Sequence, residues 1–382
     1  MSLIYLYAVV LHQTIFMNFN AFFLKSFRIL LLPFSLIYGC IVAIRNYLFD
    51  INRLKSTTFN FPLICVGNLA VGGTGKSPMV EYIVKLLKDE FEVATLSRGY
   101  KRKTKGYVLA SSTTTALEIG DEPMQFHLKF PEVAVAVGEE RVVAVPHLLQ
   151  DKPNLQAIIL DDAFQHRQIT CGYNILLTDY SNRFTHDFFL PTGDLRDERK
   201  SYKRADIIVV TKCPASLDEV EKKKLLYEVH SWPGQQVYFT NINYGTPYHI
   251  FDTQKTWELT GREEVLLVCG IANPEPLKEY LHNKTHTYYQ LNFSDHHIFN
   301  IDDLNNIKKK FEAIDVPNKI ILTTEKDAVR FVKFDKELSQ LPVYVLPITH
   351  QFLFKEGKAF NTSILNYIRN HYKEKHKEKD IV

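Results

Sequence analysis

The fold of this 382-residue chain is decided by the stretch Phe61-Pro-Leu-Ile-Cys-Val-Gly-Asn-Leu-Ala-Val-Gly-Gly-Thr-Gly-Lys-Ser-Pro78. An apolar run typical of a buried strand leads into a glycine-rich loop, and the loop ends in Lys76 and Ser77 ahead of a helical pattern. In such a loop backbone N–H groups cradle phosphates, the lysine neutralises the outer phosphate oxygens and the hydroxyl holds Mg²⁺. The stretch therefore predicts a site for a nucleoside triphosphate.

The loop departs from the strict pattern G-x-x-x-x-G-K-[ST] at one position, where Ala70 replaces the first glycine. We expect Gly72 and Gly73 to supply the backbone freedom instead. The alternative is an ordinary glycine-rich turn between a strand and a helix. The residues predicted to bind ATP are Ala70, Val71, Gly72, Gly73, Thr74, Gly75, Lys76 and Ser77.

The net charge and the cysteines limit the classes of protein to which this chain can belong. A formal net charge of +3 is too small to indicate nucleic-acid binding. The five cysteines are scattered and form no C-x-x-C pair, so neither a disulfide framework nor a zinc site is expected, and a reducing compartment fits best.

The N-terminal region is apolar. No charged residue lies between Arg28 and Arg45, but the stretch is shorter than the ~20 residues that span a bilayer comfortably, and Pro33 and Gly39 interrupt it. Flanking basic and aromatic residues favour a helix lying in or dipping into the cytoplasmic face of a membrane. The alternative is a buried core helix. Whether Met1 or Met17 starts the protein stays open.

Short apolar runs recur along the first half of the chain, and the segments between them suit helical crossovers. We predict an α/β fold: a P-loop NTPase-like, mostly parallel sheet with helices on both faces, a smaller C-terminal α/β domain and an N-terminal membrane-associated helix. The predicted strands are 61–66, 93–97, 133–137, 157–161, 174–178 and 207–211. The predicted units are an apolar helix at 17–52, a kinase-like domain at 53–235, the smaller domain at 236–372 and a charged, solvated tail at 373–382. The smaller domain is expected to begin with an extended, aromatic ribbon between the domains, Gln236 to Tyr248, and to end in a helix capped by Asn361.

Two acidic motifs are candidates for chemistry. Asp161 and Asp162 end an apolar strand, where an acidic residue holds Mg²⁺ or its waters in phosphoryl transfer; the alternative is a strand-end turn. Asp121 and Glu122 lie in the polar loop Gly120-Asp-Glu-Pro123, and the alternative there is a plain turn with Asp121 capping a helix.

Two further motifs concern the base and the nucleotide. Asp295-His296-His297 is either a helix cap with surface histidines or a pair in which a histidine beside an aspartate tunes a proton acceptor; no third ligand for zinc is evident. Thr211-Lys-Cys-Pro214 is similar to the guanine-reading strand of GTP-binding proteins, but proline replaces the aspartate that reads guanine. That difference favours ATP over GTP.

Together these motifs resemble one family, the tetraacyldisaccharide 4′-kinases (lipid A 4′-kinases), from about Ser26 to Tyr367. The resemblance rests on the apolar start and on a series of motifs: Val66-Gly-Asn-Leu-Ala-Val-Gly-Gly-Thr-Gly-Lys-Ser-Pro78, Leu96-Ser-Arg-Gly-Tyr100, Gly120-Asp-Glu-Pro123, Asp161-Asp-Ala-Phe-Gln-His-Arg167, Leu190-Pro-Thr-Gly-Asp-Leu-Arg196, Phe293-Ser-Asp-His-His297 and Thr324-Glu-Lys-Asp-Ala-Val329.

The resemblance implies an enzyme on the cytoplasmic face of the bacterial inner membrane, with an acylated glucosamine disaccharide 1-phosphate as its membrane lipid substrate. It implies transfer of the ATP γ-phosphate to the 4′-hydroxyl, giving lipid IVA in lipid A biosynthesis. By the same resemblance Gly72–Ser77 bind the phosphates. Ser77 with Asp161 or Asp162 serves Mg²⁺, and Glu122 joins the metal shell.

The remaining roles follow from the same resemblance. Asp121 is the base for the 4′-hydroxyl, assisted by His296 beside Asp295. Gln165 and Arg196 line the site. Two small differences are expected to affect fine geometry alone: Ala163 stands where the family usually has glycine, and Ser77 where it usually has threonine.

Three other functions fit parts of the sequence. One is a P-loop switch protein of the metal-insertion or partitioning type, which hydrolyses nucleotide to change partners. The second is a soluble kinase of small metabolites. The third is a non-catalytic membrane anchor, a function that would not require Asp121.

Overall fold

The computed structural model describes residues 28–229, 231–285, 287–295 and 297–379, with the side chains of the last helix described as far as residue 375. These residues form two large sheets of unequal size, each covered by helices, and one small two-stranded sheet. A separate apolar helix, α1 (Leu32–Asp50), precedes both sheets.

The larger sheet contains the strand that the sequence singled out. Its strands are β2 (Leu63–Asn68), β3 (Val93–Ser97), β4 (Val108–Leu109), β5 (Ala134–Val137), β6 (Ala157–Asp161), β8 (Tyr173–Asp179), β9 (Ile207–Thr211), β10 (Gln236–Tyr244) and β17 (Ile348–Phe352). Their order is β17-β10-β9-β8-β2-β6-β3-β5-β4, and all neighbours are parallel except at the two edges. A short parallel pairing joins β1 (Thr57–Thr58) to β7 (Ile169–Thr170). The carboxyl ends of β2, β6, β8 and β9 therefore meet at one edge of the sheet.

Helices cover both faces of this sheet, which explains why its central strands are continuous apolar runs. On one face lie α2 (Lys76–Leu87), α4 (Asp121–Lys129) and α11 (Gly357–Lys379); on the other lie α5 (Arg141–Asp151) and α6 (Glu219–Val229). The short helix α3 (Ala116–Ile119) precedes α4. Every residue of β2 is buried. A Cβ at Gly67 would lie 2.6 Å from Phe164 Cβ, so the close approach of Phe164 to this strand requires glycine at position 67.

The smaller sheet has its own core. Its strands are β11 (Tyr248–His249), β12 (Asp252–Thr256), β13 (Glu264–Cys269), β14 (Thr287–Asn292), β15 (Lys319–Thr324) and β16 (Val343–Leu346), in the order β12-β11-β16-β15-β13-β14. α7 (Glu275–His282) packs on one face; α8 (Ile301–Glu312) and α10 (Asp335–Leu338) pack on the other. The remaining helix, α9 (Glu325–Phe331), places Phe331 in this core and Val329 in the core of the larger unit.

The chain crosses between the two units on a pair of strands rather than on a single linker. β10 runs parallel to β9 and pairs antiparallel with β17, from Thr240 opposite Phe352 to Tyr244 opposite Ile348. The smaller unit is therefore inserted between residues 245 and 347, and the chain then returns to the larger sheet.

This topology corrects three predictions. The stretch from Gln236 is a strand of the larger sheet rather than the start of the smaller unit, because its apolar side chains pack beside β9. The last helix begins at Gly357, packs on the larger sheet and continues through the predicted tail to Lys379. Asn361 lies inside that helix and accepts a hydrogen bond from Tyr82 (2.8 Å) instead of capping it.

Helix α1 attaches to the larger unit along one face. Ser35, Gly39, Asn46 and Phe49 are its buried residues, and a Cβ at Gly39 would lie 2.7 Å from the ring of Phe189. Its apolar side chains on other faces are exposed to solvent: Phe34, Leu36, Ile37, Ile41 and Ile44. The helix is continuous, so the predicted interruptions at residues 33 and 39 do not break it. In length and composition it is sufficient to cross a membrane.

Candidate active site

The glycine loop joins β2 to α2 at the carboxyl edge of the larger sheet. Gly72 has φ +108° and Gly75, which precedes the first residue of α2, has φ +84°, so both positions favour glycine. Gly73 does not adopt a positive φ, so the predicted backbone freedom comes from Gly72 and Gly75. Ala70 is buried and forms an isolated bridge with Leu195, a geometry that any residue of its size can adopt.

Side chains from three strands hold this loop. Asn68 Nδ2 donates to Thr74 Oγ1 (3.0 Å), and Thr211 Oγ1 at the end of β9 donates to the Thr74 carbonyl (2.9 Å). His350 on β17 lies 2.8 Å from the Gly75 carbonyl through Nε2 and 2.9 Å from Thr240 Oγ1 through Nδ1.

His350 is neutral in this site, because burial lowers its pKa to about 4. A neutral imidazole has one N–H; Nε2 donates it to the carbonyl of Gly75, and Nδ1 accepts from the hydroxyl of Thr240. Nothing in the local sequence indicated this role, since the contact joins residues 275 positions apart.

The cationic groups of Lys76 and Arg196 both lie beside Asn68 and Asp162. Lys76 Nζ lies 3.3 Å from Asn68 Oδ1 and 3.6 Å from Asp162 Oδ1. Arg196 Nη2 lies 2.5 Å from Asn68 Oδ1, and its two terminal nitrogens bind both oxygens of Asp162. Gln165 Nε2 donates to the Asn68 carbonyl. The structure therefore brings together the predicted residues Lys76, Asp162, Gln165 and Arg196 around Asn68, which sequence reasoning missed.

The two adjacent aspartates have different environments. Burial raises the pKa of Asp162, but the hydrogen bonds from Arg196 and the charges of Lys76 and Arg196 outweigh it and bring the pKa to about 2. Burial also raises the pKa of Asp161, and the negative charges of the nearby Glu122 and Asp162 raise it further, to about 7.

Asp161 is the residue that best fits a cation. Its Oδ2 accepts from Ser97 Oγ (3.3 Å), while its Oδ1 is buried and has no hydrogen-bond partner among the described residues. A buried carboxylate oxygen without a donor, beside further acids, suits a bound cation. Across the described ranges no three His, Cys, Asp or Glu side chains are arranged to hold a metal by themselves.

Asp121 is the first residue of α4, directly after Gly120 with φ +94°. Its carboxylate accepts from Arg330 of the smaller unit, at 2.6 Å from Nη2 to Oδ2 and 3.2 Å from Nε to Oδ1. Arg330 was not identified from the sequence, because its position follows the Thr324–Val329 motif and carries no signal of its own. Asp121 thus lies where the two units meet.

The second candidate motif is only partly described. Asp295 accepts from Lys326 Nζ at 3.0 Å. Lys326 and Arg330 are four residues apart on α9 and so share one face of that helix. One face of α9 therefore contacts both Asp295, through Lys326, and Asp121, through Arg330. Asp295 is not a cap, since α8 begins at Ile301 with Asn300 as its cap. His296 lies outside the described residues.

A parallel sheet, a glycine loop leading into α2 and an acidic residue at the end of the neighbouring strand together define a P-loop nucleotide-binding protein. Residues 27–369 match the family model described as tetraacyldisaccharide-1-P 4′-kinase. The chain belongs to the tetraacyldisaccharide 4′-kinase family.

Individual relatives agree with this assignment. The tetraacyldisaccharide 4′-kinase of Flavobacterium johnsoniae is 45% identical over 342 residues, covering 90% of this chain and 97% of the relative. That of Porphyromonas gingivalis is 36% identical over 351 residues, covering 88% and 96%. Among solved structures, an "apo" form of LpxK from Aquifex aeolicus in complex with ATP is similar with a TM-score of 0.69 and 29% identity, covering 90% of this chain and 99% of that one.

Proposed function

We propose that the protein is an ATP-dependent kinase that phosphorylates the 4′-hydroxyl of a tetraacylated glucosamine disaccharide 1-phosphate, giving lipid IVA. The observation that carries the proposal is the family match over residues 27–369, within which the glycine loop is complete from Gly72 to Ser77. The switch protein, the small-metabolite kinase and the simple anchor are not favoured, because relatives that match along nearly the whole chain are named as this 4′-kinase.

ATP occupies the glycine loop in this proposal, with the backbone of residues 70–77 around its phosphates. Ser77, Asp161 and Glu122 hold the accompanying Mg²⁺, which when bound neutralises charge on the β- and γ-phosphate oxygens. The orphaned oxygen of Asp161 supports this choice over Asp162. Both oxygens of Asp162 accept from Arg196, so Asp162 orients the two cations, Lys76 and Arg196, that face the transferred phosphate.

Asp121 takes the proton of the 4′-hydroxyl in this mechanism. As the sugar oxygen bonds to the γ-phosphorus, the bond from that phosphorus to its bridging oxygen breaks and ADP leaves. Such transfers pass through a loose transition state, so a modest base suffices when it is well positioned. Assistance from His296 beside Asp295, and contact of Gln165 with the substrate, stay predictions of the family resemblance.

Helix α1 is proposed to bind the membrane by lying in its interface. Hydrogen bonds along its inner face attach it to the larger unit. Ser35 donates to Thr192 (2.8 Å), Tyr38 donates to the Arg196 carbonyl (3.1 Å) and Asn46 donates to Asp197 (2.8 Å). A helix attached in this way presents only its outer apolar face to lipid. The acceptor carries four acyl chains, and ATP is cytoplasmic, so we place the enzyme on the cytoplasmic face of the inner membrane.

The proposal is tested by incubating the protein in detergent with radiolabelled ATP, Mg²⁺ and the lipid disaccharide 1-phosphate. Asp121→Asn is expected to lower label transfer at least about a hundredfold, as expected for loss of a general base, while ATP binding is retained. Lys76→Ala is expected to weaken both binding and transfer.

Asp302→Asn is the matched control, because Asp302 is also an aspartate in the first turn of a helix but is exposed on α8. Its transfer should equal that of the unaltered protein. Normal transfer by Asp121→Asn refutes the assigned base, and ATP turnover that ignores the lipid acceptor refutes the function.

A further inference from the structure

Arg330 reaches from the smaller unit to the carboxylate proposed as the base. Its guanidinium binds both oxygens of Asp121, through Nη2 at 2.6 Å and Nε at 3.2 Å. Such a two-point contact fixes the plane of a carboxylate as well as its position, which a single donor does not. Arg330 therefore helps to fix the orientation of Asp121 from the other side of the boundary between the units.

Arg330 is itself held firmly. Its Nη1 lies 3.3 Å from Oδ1 of Asp327, a fully buried residue one turn earlier on α9. Oδ2 of Asp327 accepts from the Gly270 N–H (2.9 Å) and from Thr324 Oγ1 (2.8 Å). A Cβ at Gly270 would lie 2.9 Å from the Ser294 carbonyl and 3.3 Å from Asp327, so the absence of a side chain there permits this packing.

The contact with Arg330 does not use the whole carboxylate. A carboxylate has about four lone-pair directions, so two contacts from Arg330 take up only part of its capacity to accept hydrogen bonds.

We propose that Arg330 is a positioning residue for phosphoryl transfer: it aligns the Asp121 carboxylate for the 4′-hydroxyl, with Asp327 as its support. This inference rests on the proposed role of Asp121. In this role Arg330 makes the smaller unit part of the catalytic geometry, even where that unit does not touch the substrate.

The first test is kinetic. Arg330→Gln is expected to lower kcat at least about tenfold, because small misplacements of a catalytic group are costly, with the KM for ATP changed less than about twofold. Arg330→Lys, which keeps the charge but donates at one point, is expected to recover part of the loss. A raised kcat in Arg330→Gln, or equal losses in kcat for the Gln and Lys variants, would overturn the proposal.

The matched control is Arg369→Gln. Arg369 binds Glu90 through the same two nitrogens, Nε at 2.8 Å and Nη2 at 2.7 Å, but this pair is exposed on the last helix. Its loss should leave kcat unchanged. Should Arg330→Gln fold poorly because Asp327 is left buried and unpaired, Arg330→Gln with Asp327→Asn removes that charge, and the same loss of kcat is expected.

A double-variant cycle separates this inference from the proposed base. In Asp121→Asn, adding Arg330→Gln should reduce the residual rate by less than about twofold, because the residue through which it acts is gone. Independent, multiplicative losses refute the positioning role while leaving Asp121 as the base. Normal transfer by Asp121→Asn alone refutes the base, and the inference fails with it.

Discussion

Asp161 and Asp162 show how two neighbouring carboxylates acquire opposite properties. Asp161 has a folded-state pKa of about 7, above its ordinary value, so the folded protein binds the proton more tightly than the unfolded chain. Its contribution to the free energy of unfolding therefore falls as pH rises from about 4 to about 7. Asp162 has a folded-state pKa of about 2, so its contribution is present above about pH 4 and is lost as pH falls.

Replacing these residues one at a time should reveal the difference. At about pH 8 without Mg²⁺, Asp161→Asn is expected to raise the free energy of unfolding by up to about 4 kcal/mol, because it removes an unbalanced buried charge. Asp162→Asn should lower it by about 1 kcal/mol, a small value because the pair with Arg196 is partly exposed to water. Urea unfolding in EDTA measures both.

The same pair gives a check on function. Both variants should lose phosphate transfer, Asp161→Asn through loss of the proposed metal ligand and Asp162→Asn through loss of the partner of Arg196. A destabilised Asp161→Asn at about pH 8 would show that its charge is balanced in the folded protein, contrary to the environment described above.

At the scale of elements, α1 carries several large apolar side chains that face outward. Ile37 and Ile41 are 60% and 61% exposed, one turn apart on its outer face. We expect the double substitution Ile37→Glu with Ile41→Glu to weaken binding to anionic lipid vesicles at least about tenfold, since burying each isoleucine contributes about 1.5–3 kcal/mol. Vesicle sedimentation measures the loss.

Val220→Glu is the control for this prediction, because Val220 is similarly exposed, at 63%, but lies on a different helix, α6. Vesicle binding should be unaffected by that change. Nucleotide binding in detergent should be normal in all variants. Equal losses for α1 and for Val220 would show that the effect is general charge repulsion, and undiminished binding by the α1 variant would contradict the interfacial placement.

Elements that depend on local sequence were predictable. The strand from Leu63, the glycine loop and α2 follow one another in the chain, and Asp161 ends an apolar run that is buried on both faces of the sheet. These features are encoded within a dozen residues each, and their meaning does not depend on distant partners.

Elements whose role depends on distant partners were not predictable. β10 has the same extended, aromatic pattern in either sheet, and its place is fixed by its pairing with β9 and with β17, the latter more than a hundred residues later in the chain. The same reason hid His350 and Arg330, whose partners are 275 and 209 residues away in the chain. Neither contact alters the local hydrophobic pattern, so neither leaves a signal in the sequence.

At the scale of the whole molecule, a buried ion cluster joins the two units. Lys129 of α4 pairs with Glu81 of the phosphate-loop helix and with Glu325 of the smaller unit. Gln125 Nε2 donates to Glu81 at 2.6 Å, and the backbone N–H of Ile348 donates to Glu325 at 3.3 Å. Burial, reinforced by the charge of Glu325, raises the pKa of Glu81, and the charge of Lys129 offsets this rise only in part.

Lys129 should therefore hold the units together. Lys129→Met keeps the length of the side chain but leaves two buried carboxylates facing each other, and we expect it to lower the free energy of unfolding by about 3–5 kcal/mol. Adding Glu81→Gln and Glu325→Gln removes the repelling charges and should restore most of that loss, because a neutral cluster has no ion to desolvate. Urea unfolding of the single and triple variants measures both changes. A triple variant no more stable than Lys129→Met would mean that the cluster acts through packing rather than charge.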